Sequence, residues 1–311
     1  MTPARKPSAP ARRSRGRRQS LRGLAFASPW VIGFAIFIAW PVIASAWYSL
    51  TNFNLFQPPR FIGLANYSAM LHDEKFWTSL WNTLYLTVIG VPVGIALSLA
   101  GAMILNLPVR GQPLYRALVY LPTIVPVVVS GYLWRWFLNP QYGYLGQILT
   151  LLHIDPPLWL NDPAWTKPAI LQVAWWTVGG MTVIYLAALK DVPKDLLEAA
   201  QIDGAGFWAR FRHVIWPIIS PVTLFQMIIS IISYLQIFTQ PYLLAQTRLN
   251  QSSGGPDNSM LSYSMYLFQN AFVNLKMGYA SAMAWVLFII TMAISVVILV
   301  NSKRWVHYGV L

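Results

Sequence analysis

The chain has 311 residues, 56% of them hydrophobic and only 10% charged, with a net charge of +13 and no cysteine. That balance excludes an ordinary soluble domain and points to a membrane protein. Without cysteine there are no disulfides, no thiolate catalysis and no cysteine-ligated metal.

The excess charge is concentrated at one end. Residues 1–23 hold eight of the 22 basic residues and three prolines, with almost nothing apolar. This segment is expected to be a disordered cytoplasmic tail that touches anionic membrane lipid. Nucleic acid is not expected as a partner, because no binding fold accompanies the charge. Six apolar runs follow, near 24–50, 79–107, 117–138, 168–189, 214–245 and 277–300. Each has the ~20 residues needed to cross a bilayer. The first run resembles a signal peptide in its basic flank and in Ala44-Ser45-Ala46, but its length, Trp40, Pro41 and Trp47 favour an uncleaved span. Residues 24–311 thus read as one all-α transmembrane domain, a bundle of six helices. Prolines within the runs, such as Pro92, Pro122, Pro126 and Pro221, are expected to kink the helices rather than break them.

Lysine and arginine set the orientation. With the N-terminus inside, 16 of them fall on the inner side and six on the outer side or its flanks, although the tail supplies half of the bias. Both termini and the connection 190–213 then face the cytoplasm. The outer connections 51–78, 139–167 and 246–276 are rich in Pro, Asn, Gly and aromatics and are expected to hold short interfacial helices.

The connection 190–213 carries the sharpest local signal. Pro193 suits the start of a short helix. Leu196, Leu197, Ala199 and Ala200 give that helix an apolar side, and Gly204 suits the left-handed residue that ends it. A second short helix with Phe207, Trp208 and Phe211 is expected to follow. Two helices with small and aromatic faces fit a groove on another protein; an amphipathic pair lying on lipid is the plainer alternative.

Glu198-Ala199-Ala200, three residues, Gly204, nine residues and Val214-Ile215-Trp216-Pro217 together resemble the EAA loop of the membrane-spanning subunits of binding-protein-dependent ABC importers. The family pattern ends in I-x-L-P, so Val214 and Trp216 depart from it. Ile202-Asp203-Gly204-Ala205, Gly254-Gly255-Pro256 and Gly278-Tyr279-Ala280-Ser281-Ala282 extend the likeness to the carbohydrate branch, over residues 24 to 300. The resemblance implies an ABC importer type I bundle with a cytoplasmic coupling helix in a prokaryotic inner membrane. It implies ATPase subunits, a second permease subunit and an extracytoplasmic solute-binding protein as partners. ATP and magnesium would reside on the ATPase, and this chain would hold no cofactor and perform no catalysis. Glu198, Ala199, Ala200, Asp203, Gly204, Phe207 and Pro217 would form the coupling element. Ser230 matches a serine that contacts sugar in the maltose type. Family asparagines become Tyr234 and Ile237, a family tyrosine becomes Gly180 and another asparagine becomes Val173, so maltose itself is not implied.

Polar and aromatic candidates for the substrate path are Gln172, Trp175, Trp176, Gln226, Ser230, Tyr234 and Gln236, since sugars bind through hydrogen bonds and aromatic faces; for the tryptophans, plain packing is the alternative. All nine acidic residues lie outside the six runs, and among charged residues only Arg135 lies within one. An ion-coupled carrier, which ordinarily keeps an ionisable group in the membrane, is therefore the weaker reading, as is a scaffold without transport. There is no phosphate-binding GxxxxGK[ST] loop, no HExxH pair and no metal-ligand cluster.

Overall fold

The structure, a computed structural model, describes residues 26–246 and 254–307. The basic tail and Arg248 lie outside the described residues. Helices α1 (Phe26–Ser49), α2 (Ala65–Leu71), α3 (Glu74–Leu105), α4 (Gln112–Ile124), α5 (Val127–Phe137), α6 (Tyr144–Leu151), α7 (Pro163–Trp176), α8 (Gly179–Lys190) and α9 (Lys194–Ile202) come first. They are followed by α10 (Phe207–Arg210), α11 (Trp216–Leu235), α12 (Thr239–Ala245), α13 (Tyr263–Phe268) and α14 (Met277–Ser302). No strand forms among the described residues beyond one isolated bridge between Thr51 and Phe61.

Four helices are long and apolar enough to cross a membrane, or six spans if each of two bent pairs counts as one. α4 and α5 meet at 98° and α7 and α8 at 49°. Pro126 was expected to kink a single helix; instead it divides two. Proline disfavours helical backbone at the residue before it, and Val125 is extended, with φ −67° and ψ 125°. Pro92, in contrast, lies inside the unbroken α3. Two other prolines are accommodated by widening the turn ahead of them. π-Helical turns at Ala35–Ala39 and Phe211–Ile215 precede Pro41 and Pro217, keeping the preceding carbonyls clear of the proline ring. The second π turn joins α10 to α11, so the expected short helix at Phe207–Phe211 is instead the first turns of a spanning helix.

α3 is the axle. Ser79, Thr83, Leu86, Gly90, Gly94, Ser98 and Ala102 recur at helical spacing and are buried, and small residues let neighbouring backbones approach closely. α7, α8, α11 and α13 all pack on α3. α1 stands at the edge and packs chiefly along α14. The short helices α2, α6 and α13 fall in the connections 51–78, 139–167 and 246–276, where short helices were expected. Two charge placements differ from expectation: α7 starts early enough to include Lys167, whose ammonium lies 5.4 Å from the centre of the Tyr85 ring, and α3 opens on Glu74 and Lys75.

Asp73 clasps the ends of three elements. One carboxylate oxygen caps α3 by accepting the N–H groups of Lys75 and Phe76, at 3.0 and 3.4 Å. The other accepts the hydroxyls of Tyr266 and Tyr279, at 2.5 and 2.7 Å. Burial alone would raise the Asp73 pKa, but the bonds from Tyr266, Tyr279, Phe76 and Lys75 outweigh it and hold the carboxyl below its ordinary 3.8. Burial and the adjacent Asp73 charge push the Tyr266 phenol up to about 12, so it remains a donor at neutral pH. Hydrogen bonds to a charged group contribute about 1.5–3 kcal/mol each. Asp73→Asn is therefore expected to cost about 1–3 kcal/mol at pH 7, read as a lower melting temperature. A carboxyl with a lowered folded pKa stabilises above its unfolded pKa and loses that contribution as pH falls through the folded value. The wild-type advantage should thus be constant upward of about pH 5 and disappear in acid.

Candidate functional site

A cavity of about 290 Å³ lies between α3, the α7–α8 break and α11. It forms where two helices are interrupted. Thr177 and Val178 divide α7 from α8, and Gln236–Phe238 divide α11 from α12; Thr177, Val178 and Ile237 all line it. Interrupted helices deep in a membrane must give their freed backbone groups to protein or trapped water, so such breaks gather at cavities.

Gln226, Ser230 and Tyr234 are spaced four residues apart on α11 and enter the cavity from one face. Gln226 is 3% exposed, and its side-chain N–H₂ has no hydrogen-bond partner. The Ser230 hydroxyl has only the Met181 sulfur, at 3.8 Å, a weak acceptor. Such groups hold unused hydrogen-bonding capacity at a buried wall. Ser233, Thr177 and Gln240 add further polar groups, and no lining residue bears a charge.

Tyr234 rests on Gly90. A Cβ at Gly90 would stand 2.2 Å from the tyrosine ring. On the same stretch of α3, the Trp175 indole N–H donates to the Gly90 carbonyl at 3.1 Å. Trp175 therefore backs the wall rather than facing the opening. Three sequence candidates are elsewhere: Gln172 is half-buried away from the cavity, Trp176 packs edge-on against Trp134, and Gln236 is exposed at the end of α11. Among the positions the family resemblance singled out, Ile237 lines the cavity, whereas Val173 is fully buried in the core and Gly180 packs near Thr123. Gly90, Gly94, Thr177, Met181, Ser233 and Gln240 were not anticipated. Ser233 sits beside the anticipated Tyr234 and Gln240 four positions after Gln236, but the role of Gly90 depends on a ring 144 positions away.

The second feature is α9. None of its residues is buried; only Leu197 and Ala200 are partly covered, while Glu198, Ala199 and Asp203 are exposed. It ends in a double-bonded turn: the Ala205 N–H donates to the Ala200 carbonyl at 2.9 Å and the Gly204 N–H to Gln201 at 3.1 Å. This turn needs a left-handed residue at its corner, and Gly204 has φ 78°. On either side of the turn, Ile202 before it and Phe207 and Trp208 after it leave large apolar surfaces uncovered, at 86%, 55% and 75% exposure. Pro217 is half-buried at the start of α11.

Residues 90–305 match the family described as binding-protein-dependent transport system inner membrane component. The chain belongs to this family. The permease is 38% identical, over 94% of both chains, to a protein of Bacillus subtilis named probable ABC transporter permease protein YesP. It is 34% identical to the sulfoquinovosyl glycerol transport system permease protein SmoG of Agrobacterium fabrum, over 88% of this chain and 87% of that one. Its fold matches a chain in the crystal structure of a bacterial alginate ABC transporter in complex with alginate pentasaccharide-bound periplasmic protein. The TM-score is 0.82 at 22% identity, with 95% of this chain and 99% of that chain covered.

The close approach at Gly90 makes the permease sensitive to a single methyl group. Gly90→Ala should displace the Tyr234 ring and cost about 1–3 kcal/mol through overpacking, measured as a lower melting temperature. Combining it with Tyr234→Ala should recover part of that loss, because the colliding ring is gone. Unchanged stability in Gly90→Ala would contradict the packing.

Proposed function

We propose that the permease translocates a sugar or related polyol delivered by an extracytoplasmic solute-binding protein, as one of two permease subunits driven by partner ATPases. The observation that carries this reading is the exposed, glycine-ended helix α9 with its EAA signature, joined by one turn to the helix that lines the cavity. Orientation follows the lysine and arginine bias: α9 and both termini face the cytoplasm of a prokaryotic cell. ATP and magnesium belong to the partner ATPase, and this chain contributes no cofactor site.

Residue roles are carried over from the family resemblance. Glu198 supplies an acidic contact to a basic residue of the ATPase. Ala199 and Ala200 allow close approach; Asp203 and Gly204 form the turn. Phe207 meets the partner beside it, and Pro217 marks the joint where the helix enters the membrane. From Phe207 to Ser230 the helical path is roughly 35 Å at 1.5 Å per residue, so a push on α9 displaces the cavity wall directly. Docking of the loaded binding protein and closure of the ATPase dimer would open the cavity outward, and hydrolysis would reset it inward.

The sugar class is supported by the lining. Amide and hydroxyl groups at Gln226, Ser230, Ser233 and Gln240, with the Tyr234 ring, suit a neutral polyhydroxylated ligand. An uncharged wall is poorly suited to an ion-coupled cycle.

Glu198→Lys reverses the charge at the coupling contact, and Gly204→Pro forces a negative φ where the turn needs a positive one. Each should reduce uptake and substrate-stimulated ATP hydrolysis to background while the subunit still inserts and assembles. Wild-type transport by either variant would refute the coupling role.

A further inference from the structure

A different opening lies between α4 and α8, a cavity of about 430 Å³ at the same end of the bundle as α9. Leu105, Tyr120, Val183 and Leu186 form apolar walls, and Arg116 and Lys190 bring two cations to it. α3 ends at Leu105, α8 ends at Lys190, and Arg116 lies in the second turn of α4. The cations therefore sit where the spans meet the membrane boundary. Arg116 makes only a long 3.5 Å approach to the Leu105 carbonyl, and its buried Nε has no partner. Neither Arg116 nor Lys190 forms an ion pair among the described residues.

An apolar slot capped by two unpaired cations at this depth matches an amphiphile with an anionic head. A soluble anion would have no use for the slot, and a zwitterionic lipid would bring its own cation up against Arg116 and Lys190. We propose that this cavity binds an anionic glycerophospholipid, its phosphate between Arg116 and Lys190 and an acyl chain along Val183 and Leu186. Lys190 lies four residues ahead of α9, so the bound lipid would brace the base of that helix and make coupling depend on membrane composition. The effect on coupling rests on the transport reading, whereas lipid binding does not and is read without transport.

The test uses the full chain with its natural partners in native membranes. Photoactivatable phosphatidylglycerol and phosphatidylcholine probes are crosslinked, and the labelled peptides are mapped. The phosphatidylglycerol probe should label peptides around 116–120 and 183–190 about fivefold more than the phosphatidylcholine probe. Arg116→Gln with Lys190→Gln should abolish that preference, while Arg116→Lys with Lys190→Arg should keep most of it. Should the double glutamine variant fail to insert, the two single variants decide, each expected to lose part of the preference. Equal labelling by the two probes, or a preference unchanged in the glutamine variants, would overturn the proposal. So would displacement by millimolar inorganic phosphate, which would indicate a soluble-anion site. Absence of label in the assembled complex would also overturn it, by indicating that another subunit covers this face.

Discussion

A backbone amide or carbonyl without a partner costs several kcal/mol in hydrocarbon, where no water can take it. This constraint governs where the bundle can be irregular. α3 remains unbroken through Pro92 and offers a buried face of small and hydroxyl-bearing residues. Against that rigid surface, the interruptions at Thr177–Val178 and Gln236–Phe238 converge on one space. The cavity is the region in which broken helices can satisfy themselves, and its polar lining is the same property seen from the inside.

The geometry also joins two features that lie far apart. α9 is exposed along its length, yet its Gly204 turn leads directly into the continuous helix that carries Gln226, Ser230 and Tyr234. Two backbone hydrogen bonds close that turn, so the chain passes from α9 to the next helix with only Ala205 and Gly206 between Gly204 and Phe207. Near the start of α11 the C-terminal segment is tied back to the bundle where the His307 N–H donates to the Ser220 hydroxyl at 3.0 Å.

Local features were legible in the sequence and long-range ones were not. The glycine ending α9 is a property of consecutive residues, and the spacing of Gln226, Ser230 and Tyr234 places them on one helical face whatever lies opposite. The six runs were visible as hydropathy, but the 98° division at Pro126 was not. Its cause, extended backbone at Val125, is one of two outcomes open to any intramembrane proline, and the neighbours decide between them. The second division, at Thr177–Val178, has no proline to announce it. Trp175 and Trp176 were indistinguishable by composition. Only the fold reveals that one indole reaches the Gly90 carbonyl while the other packs against Trp134. The charged residues were misplaced by a few positions, because α7 extends further back than its apolar core and so takes in Lys167.

The central claim is that α9 is a cytoplasmic lever engaged by a nucleotide-hydrolysing partner. Its most direct measurement is photocrosslinking in intact cells from a photoreactive amino acid at position 198. The account predicts capture of an ATPase subunit, with position 198 inaccessible to an impermeant reagent added from outside. Labelling of that position from the exterior, or repeated failure to capture any ATPase, would contradict it.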